Sequence, residues 1–282
     1  MFDSKWYKHI VKLRYLIIFI IFFSSIQARA VDLLGDDLTI TLESSYASKY
    51  LWMGYDVFSD DGGAFQPSVN FDWNGLFVGA MGSFADESGH QSQERLDYYG
   101  GYGRRWFEDD IYALDTLVSV TFYDGLHGGS SAGTRSTSDL LEMGFGMFMP
   151  KLIPLGSSYL IPSYSLFYES DEFRDDEARP DRGWLQKFDV SYNLPIPALI
   201  PEQENQFIQF DCNIMYNDGI LDSDPSWSHT GMGINTTFEW NRFFFTPAVK
   251  YQYSFEDTVN PENEIYAVLS IGYSGLTVSS KE

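Results

Sequence analysis

Along most of its length the sequence alternates apolar and polar side chains with a period of two residues. Phe65–Trp73 and Ile208–Tyr216 show this pattern clearly. Because successive side chains of a β-strand point to opposite faces, each such segment predicts a strand with one apolar and one hydrophilic face. We expect twelve strands, near residues 38–52, 65–73, 76–84, 94–106, 111–123, 140–149, 159–168, 184–193, 206–216, 230–240, 243–254 and 264–273. For the first of these, a bend or interruption near Ser44–Ser48 is the alternative to one continuous strand.

The connections between these segments alternate between short and long. Asn74–Gly75 is a strong two-residue hairpin signal, since both residues accept a positive φ, and Phe107–Asp110 and Asn241–Arg242 are also tight. The longer connections are polar and cover residues 53–64, 85–93, 124–139, 169–183, 217–229 and 255–263. Short turns at one end and long loops at the other are the layout of outer-membrane barrels. Two proline-bearing connections, 150–158 and 194–205, break the rule, and we expect them to rest against the periplasmic rim.

The first thirty residues have the three parts of a secretory signal peptide. Basic residues come first, the apolar run Leu16–Ile26 follows, and Ala28-Arg29-Ala30 is a small-x-small cleavage signal. The apolar run is shorter than the ~20 residues of a membrane-spanning helix. We therefore expect residues 1–30 to be cleaved and residues 31–282 to form one barrel in the outer membrane.

Aromatic side chains separate a membrane barrel from a soluble β-sandwich, which would show the same alternation. In a sandwich the apolar residues form an internal core, and aromatic residues have no reason to collect at strand ends. Rings at both ends of the strands match the interfacial girdles of membrane barrels. The sequence therefore predicts an all-β fold, a membrane-spanning antiparallel up-and-down β-barrel of twelve strands. The aromatic residues at or near predicted strand ends are Tyr46, Tyr50, Trp52, Trp73, Tyr98, Trp106, Trp184, Tyr192, Tyr216, Trp240, Tyr253 and Tyr273.

The sequence is strongly acidic. It holds 18 Lys+Arg and 40 Asp+Glu; the first thirty residues contain five of those bases and one acid, which leaves 13 bases against 39 acids. This charge repels nucleic acid. A disordered acidic tail is excluded as well, because aromatic residues make up 17% of the chain. The partners we expect are outer-membrane lipid and lipopolysaccharide, small solutes and the barrel assembly machinery, with no nucleic acid.

Carboxylates crowd one of the long connections. Oxygen ligands suit Ca²⁺ or Mg²⁺, so this loop is a candidate for weak binding of a divalent cation, although it has no EF-hand spacing. The alternative is a solvated anionic surface. We expect no other cofactor. The candidate metal ligands are Asp175, Asp176, Glu177 and Asp181.

Charged residues also lie on the hydrophilic face of the predicted strands. Five are basic, namely Lys49, Arg95, Arg105, Lys187 and Lys250. Nine are acidic, namely Glu43, Asp72, Asp97, Asp115, Glu142, Asp189, Asp211, Glu239 and Glu264. They either pair into salt-bridge ladders that fill a narrow barrel or line a channel that prefers cations. We predict a pore-lining role for six of them, namely Asp115, Asp189, Asp211, Glu239, Lys250 and Arg105.

Residues 44–84 contain a more specific pattern. In order along the chain it consists of Tyr50, Trp52 and Gly54, then Gln66-Pro67, then Gly75, Phe77 and Gly79. This order resembles the first hairpins of exported barrels of the TorF-type porin family, in which a strand ends in an aromatic residue followed by an Arg-Gly pair. The resemblance implies a porin and covers about forty residues. Met53 stands where the family has the arginine, so any pore-lining role of that arginine does not carry over.

Catalytic patterns are sparse. After residue 30 the histidines are His90, His127 and His229, and Ser226 and Ser228 lie near His229. Sequence neighbours do not by themselves form a nucleophile–base pair, and the sequence has no nucleophile elbow, zinc spacing or phosphate loop. We therefore predict a channel for small solutes and no enzymatic activity. The alternatives are a closed structural or binding barrel and a barrel enzyme acting on envelope lipid.

Overall fold

The computed structural model describes residues 38–58, 62–126, 139–170, 182–201, 203–220, 223–255 and 259–275. Twelve long antiparallel strands form one sheet: β1 Leu38–Ala47, β2 Ala64–Trp73, β3 Leu76–Ala85, β4 Arg95–Trp106, β5 Leu114–Gly125, β6 Leu140–Phe148, β7 Ser158–Ser170, β8 Arg182–Ile196, β9 Gln206–Asn217, β10 Ser226–Thr236, β11 Phe243–Ser254 and β12 Glu264–Ser274. Each strand pairs with the next along the chain, and β12 pairs with β1. The predicted all-β, twelve-stranded up-and-down barrel is confirmed. The predicted signal peptide lies outside the described residues and stays a prediction.

The pairing of β1 with β12 closes the barrel. Its register runs from Thr41 opposite Ser274 to Ala47 opposite Val268. On its other side β1 pairs with β2 over its whole length. Each of the twelve strands therefore has a hydrogen-bonding partner on both sides, which is the condition for a sheet surrounded by lipid.

The short connections lie together at one end of the barrel, which we take as the periplasmic end. Asn74 and Gly75 have φ values of 51° and 82°, the two positive values that a tight hairpin of this kind requires. The proline-bearing connections lie at the same end. Ile153–Leu155 adds a three-residue strand beside β7, and the Gln203 side chain donates to the Thr237 carbonyl at 3.0 Å. Among the described residues, no helix is long or apolar enough to cross a membrane.

Apolar side chains cover the outer face of the barrel. Val78, Val118, Val190 and Ile271 are between 44% and 59% exposed. An apolar surface of this extent is unstable in water and belongs against lipid acyl chains. Several aromatic side chains predicted for the interfacial girdles are exposed near strand ends, namely Trp106, Trp184, Trp240 and Tyr253.

Two predicted girdle residues, Tyr50 and Trp52, do not lie on the outer face, and that prediction was wrong. β1 ends at Ala47 rather than at residue 52, and the chain then turns into the mouth of the barrel. Tyr50 is only 4% exposed. The error has a physical cause, because Tyr50 and Trp52 continue the two-residue period of Tyr46 beyond Ala47, the last residue that pairs with a neighbouring strand.

Val190 and Ser191 are neighbours on β8 that test which face meets lipid. Val190→Arg places a charge on the lipid side, where the expected cost is ~2–4 kcal/mol at mid-bilayer, and should sharply lower the yield of folded barrel. Ser191→Arg places the same side chain inside, opposite Asp211, and should fold normally. Heat-modifiable migration of membrane-extracted protein measures the folded fraction. Equal folding of the two variants would contradict the assignment of faces.

Candidate functional site

The connection between β1 and β2 contains a small hairpin in which Leu51–Trp52 pairs with Tyr55–Asp56, and we call it the mouth hairpin. Its tip residues, Met53 and Gly54, have φ values of 51° and 93°. Two successive positive values make a tight two-residue turn, and glycine adopts such a value without strain. The Met-Gly pair therefore explains why the chain reverses here.

Polar contacts fix the base of the mouth hairpin to β12. The Ser48 backbone N–H donates to the Ala267 carbonyl at 2.9 Å, and the Ala267 N–H donates to Ser48 Oγ at 3.0 Å. Lys49 Nζ lies 2.5 Å from Glu264 Oε2, and both side chains are largely buried. The chain therefore leaves β1 along the inner wall rather than toward solvent.

An apolar cluster holds the chain on both sides of the mouth hairpin. Tyr50 packs with Phe58, Ala64 and Ala85, and the ring centroids of Tyr50 and Phe58 are 4.9 Å apart. Burial raises the pKa of the Tyr50 phenol, so it stays protonated at neutral pH. This cluster connects the return of the chain to the start of β2.

Trp52 places the mouth hairpin against β4 and β5. The guanidinium carbon of Arg95 lies 4.4 Å from the centre of the Trp52 ring, 4.5 Å from that of Tyr123 and 5.6 Å from that of Tyr50. The Trp52 and Tyr123 rings also meet edge to face, with centroids 5.2 Å apart. These three rings surround the Arg95 guanidinium as an aromatic cage, which attaches the hairpin to this wall. The attraction between a desolvated cation and an aromatic ring stabilises such a contact by about 2 kcal/mol.

Acidic residues lie on the inner wall around the Arg95 cage. Arg95 Nε is 2.9 Å from Asp97 Oδ1, and the Tyr123 hydroxyl donates to Glu142 Oε2 at 3.0 Å. Glu169 lies opposite Glu142 in the β6–β7 register, and all three acids are at most 5% exposed. Asp97, Glu142 and Glu169 therefore place three buried carboxyl groups around the Arg95 cage on this side of the mouth.

The tip of the mouth hairpin reaches the wall formed by β8 to β11. Gln252 Nε2 donates to the Gly54 carbonyl at 2.6 Å. The Tyr55 hydroxyl donates to the Ile220 carbonyl at 3.2 Å and accepts from Asn217 Nδ2 at 3.3 Å. In a ring of twelve strands, β4 and β10 stand on opposite sides. The mouth hairpin therefore crosses the outer mouth from wall to wall.

Met53 stands at the position where the family resemblance implies an arginine. Its side chain packs instead on an apolar cluster of three buried residues, namely Leu185, Met215 and Ile220. The tip of the hairpin thus contributes packing to the far wall and no positive charge.

Ser228 and His229 do lie together, beneath the hairpin tip. Ser228 Oγ is 3.0 Å from His229 Nδ1 and donates to the Met215 carbonyl at 3.2 Å. The single hydroxyl hydrogen of Ser228 can point to either of these two acceptors, the Met215 carbonyl or His229 Nδ1. Both side chains are buried, and the His229 ring lies directly against Gly54. The pair acts here as part of the seat for the hairpin.

The six residues predicted to line the pore lie on the inward face of their strands. Asp189, Asp211 and Lys250 are near the middle of β8, β9 and β11, where they alternate with lipid-facing residues. Arg105 and Asp115 face each other near the periplasmic end and share two hydrogen bonds of 2.6 Å. The sixth, Glu239, lies at that same end of the barrel, on the three-residue strand Phe238–Trp240 that pairs with β11. Whether these residues line an open pore stays a prediction.

Ion pairs neutralise only part of the inward charge. Four of the five predicted bases are paired, as Lys49–Glu264, Arg95–Asp97, Arg105–Asp115 and Lys187–Asp189. Within the part of the chain that the structure describes, Lys250 has no such pair. Five predicted acids are likewise without an ion pair among the described residues, namely Glu43, Asp72, Glu142, Asp211 and Glu239.

The predicted metal ligands, Asp175, Asp176, Glu177 and Asp181, lie outside the described residues. Among the residues that are described, no group of three His, Cys, Asp or Glu side chains is arranged to hold a metal ion. Weak binding of Ca²⁺ or Mg²⁺ by that loop stays a prediction.

The sequence reasoning missed two parts of the site. It assigned residues 53–64 to a solvated outer loop, although the Met53–Gly54 pair resembles a two-residue turn and aromatic residues flank it closely. It also left Glu169 in a loop. Continuing the alternation of β7 past Tyr168 would have placed Glu169 on the inward face.

Comparisons with known proteins bear on the fold. No protein-family model matches the sequence, and no curated protein matches it either. Among solved structures, the NanC porin is 8% identical with a TM-score of 0.50, over 83% of this chain and 98% of that one. The KdgM porin is 9% identical with a TM-score of 0.47, over 83% and 98%. The beta domain of the Bordetella autotransporter BrkA is 12% identical with a TM-score of 0.40, over 84% and 98%.

At such low identity the likeness to NanC concerns the fold alone. Together with the closed sheet and its apolar outer face, it confirms the prediction of an outer-membrane β-barrel. The closer assignment to the TorF-type family has no support from a family model and stays a hypothesis.

Gly54 is the position where the seat of the mouth hairpin is tightest. A Cβ added there would collide with the His229 ring and lie 2.9 Å from Val259 Cγ1, at a φ of 93° that disfavours alanine. Gly54→Ala should therefore displace the hairpin and expose its aromatic residues to chymotrypsin. Gly89→Ala is the matched control, because Gly89 has a φ of 121° in another outer loop with no atom within 4 Å of the added Cβ.

Rates of chymotrypsin cleavage at the hairpin, followed by mass spectrometry of the fragments, measure the displacement. We expect at least several-fold faster cleavage in Gly54→Ala and no change in Gly89→Ala. Equal protection of both variants would mean that the contact of Gly54 with His229 does not seat the hairpin.

Proposed function

We propose that the chain is a channel for small solutes in the outer membrane and that the mouth hairpin sets its width. The observation that carries the proposal is the position of the inward side chains, several of which lie along the inner wall of the barrel. Twelve strands enclose a lumen between that of filled eight-stranded barrels and that of open sixteen-stranded porins. Whether such a lumen stays open depends on where its side chains lie.

Large inward side chains lie flat over glycines on the neighbouring strand. Tyr99 is directly opposite Gly79, and a Cβ added to Gly79 would be 2.5 Å from the Tyr99 ring. Asp211 covers Gly233 in the same way, with its carboxylate 2.5 Å from the position of an added Cβ. Phe244 lies over Gly272. Because these three side chains lie along the wall, they do not project across the lumen, which supports a channel.

The mouth hairpin supplies the constriction in this proposal. It contacts β4 and β5 through Trp52 and the opposite wall through Gly54 and Tyr55. A solute must therefore pass beside the mouth hairpin, which divides the outer mouth. The size limit of the channel is then set by the hairpin rather than by the strand number.

The proposal includes a preference for cations. Its support is the inward charge that ion pairs leave uncompensated among the described residues. Five acids remain there without an ion pair, against one base, Lys250. Fixed charges act strongly on ions in a lumen with low-dielectric walls, and an excess of one sign opposes entry of ions of that sign. Asp211 is the candidate of most interest, since it lies near the middle of β9.

A closed structural barrel is the second candidate, and the wall-to-wall contacts of the mouth hairpin favour it. The proposal assigns no catalytic role to Ser228 and His229. Binding of lipopolysaccharide and recognition by the barrel assembly machinery remain predictions from the sequence.

Conductance tests the channel and the constriction together. Trp52→Ala/Tyr55→Ala removes the aromatic cage contact on one wall and the two hydrogen bonds of the Tyr55 hydroxyl on the other. In planar bilayers the wild type should conduct, and this double variant should conduct at least twofold more. Glu87→Ala, in an exposed position of the next outer loop, should match the wild type.

The outcomes separate the two candidates. A silent wild type with a conducting double variant would establish a closed barrel that the hairpin seals. Silence of both folded proteins would refute the channel. Conductance that is equal in all three proteins would refute the hairpin as the constriction.

Selectivity tests the inward acids. Asp211→Asn/Asp189→Asn removes two carboxylates from the lumen and should shift the reversal potential in a salt gradient toward zero, because the cation preference falls with the fixed negative charge. The preference should also weaken at 1 M salt, where the Debye length is only ~3 Å. Glu87→Gln is the control for a carboxylate outside the lumen. An anion-selective wild type, or an unchanged reversal potential in the double variant, would overturn the cation preference.

A further inference from the structure

The lipid-facing surface carries a groove in its periplasmic half that the channel does not use. Its volume is about 620 Å³, within the 300–1,000 Å³ range of small-molecule sites. Gly100 forms part of its floor, and a Cβ added there would lie 3.3 Å from the Val78 side chain on the wall of the groove. The walls come from two tiers of apolar residues on β2 to β5, namely Phe71, Val78 and Val120 above and Trp73, Tyr102 and Val118 below.

The periplasmic rim has a step directly below this groove. The turn Asn74–Gly75 ends the β2–β3 hairpin opposite Tyr102, whereas β4 continues to Trp106. Arg104 lies on the outward face of this extension, one tier below Tyr102, which corresponds to about 7 Å along a strand. The groove therefore opens at its lower end onto the extension of β4 beyond Tyr102, which we call the shelf and which carries the basic side chain of Arg104.

Arg104 is held in place on this shelf without being neutralised. Its guanidinium carbon lies 4.2 Å from the centre of the Trp106 ring, and Trp106 Nε1 donates to Thr116 Oγ1 at 2.9 Å. Within the described residues, no carboxylate pairs with Arg104. Tryptophan at this level is typical of the membrane interface, so the guanidinium stands where lipid phosphates are found.

We propose that the groove and Arg104 together bind one glycerophospholipid of the periplasmic leaflet. An acyl chain lies in the groove over Gly100, and the phosphate accepts hydrogen bonds from the Arg104 guanidinium. Arginine is suited to this role because its planar donors match phosphate oxygens. The apolar walls with a basic side chain at the lower end support a lipid rather than a second barrel, since a phospholipid combines an apolar chain with an anionic phosphate.

Native mass spectrometry of delipidated full-length barrel, titrated with phosphatidylglycerol or with diacylglycerol, tests both parts of the site. Arg104→Gln should weaken phosphatidylglycerol binding about tenfold, the effect of losing a charged hydrogen bond, and leave diacylglycerol binding unchanged. Gly100→Phe fills the groove and should weaken both lipids.

Two control variants keep the result specific. Cys212→Phe adds the same ring at an exposed position on β9, and Arg242→Gln removes a positive charge from another periplasmic turn; both should bind lipid like the wild type. Arg104→Gln keeps the test valid if Gly100→Phe does not fold. Wild-type binding in Arg104→Gln, a loss in the controls as large as in the test variants, or no one-to-one lipid adduct on the wild type would each overturn the proposal.

Discussion

In a lipid bilayer every backbone N–H or C=O group without a partner costs several kcal/mol, and the pairing of β12 with β1 removes that cost for the two terminal strands of the sheet. The other properties of the molecule depend on this closure. It gives the outer face an apolar surface without free strand edges, and it creates an interior where polar side chains face one another. Without closure the sheet would enclose no interior for Asp211 and Lys250 to face.

The regular part of the molecule follows from local rules, which explains why the sequence predicts it well. The two-residue period fixes which side chains share a face, and Asn74–Gly75 requires a tight turn wherever the strands on either side pair. All twelve strands therefore lie within a few residues of their predicted positions. The same rules failed at Tyr50 and Trp52, because a periodic pattern does not reveal that the hydrogen-bonding partner of the strand has ended.

The mouth hairpin was beyond prediction for a different reason. Its position depends on contacts with β4, β5 and β8 to β11, which are far away along the chain. Arg95 shows this best. In the sequence it is one inward base among five, and only the fold reveals that rings from the hairpin and from β5 surround it. Lysine would be a poor substitute, since a planar guanidinium can lie on several rings while it also meets Asp97.

The wall-to-wall attachment of the mouth hairpin has a consequence for the order of folding. Its contacts on one side belong to β4 and β5, and those on the other side belong to strands synthesised much later, up to Gln252 on β11. No partly assembled sheet offers both sets at the correct separation. The hairpin therefore reaches its final position only when nearly all strands are in register, so that seating of an early loop becomes one of the last steps in forming the barrel.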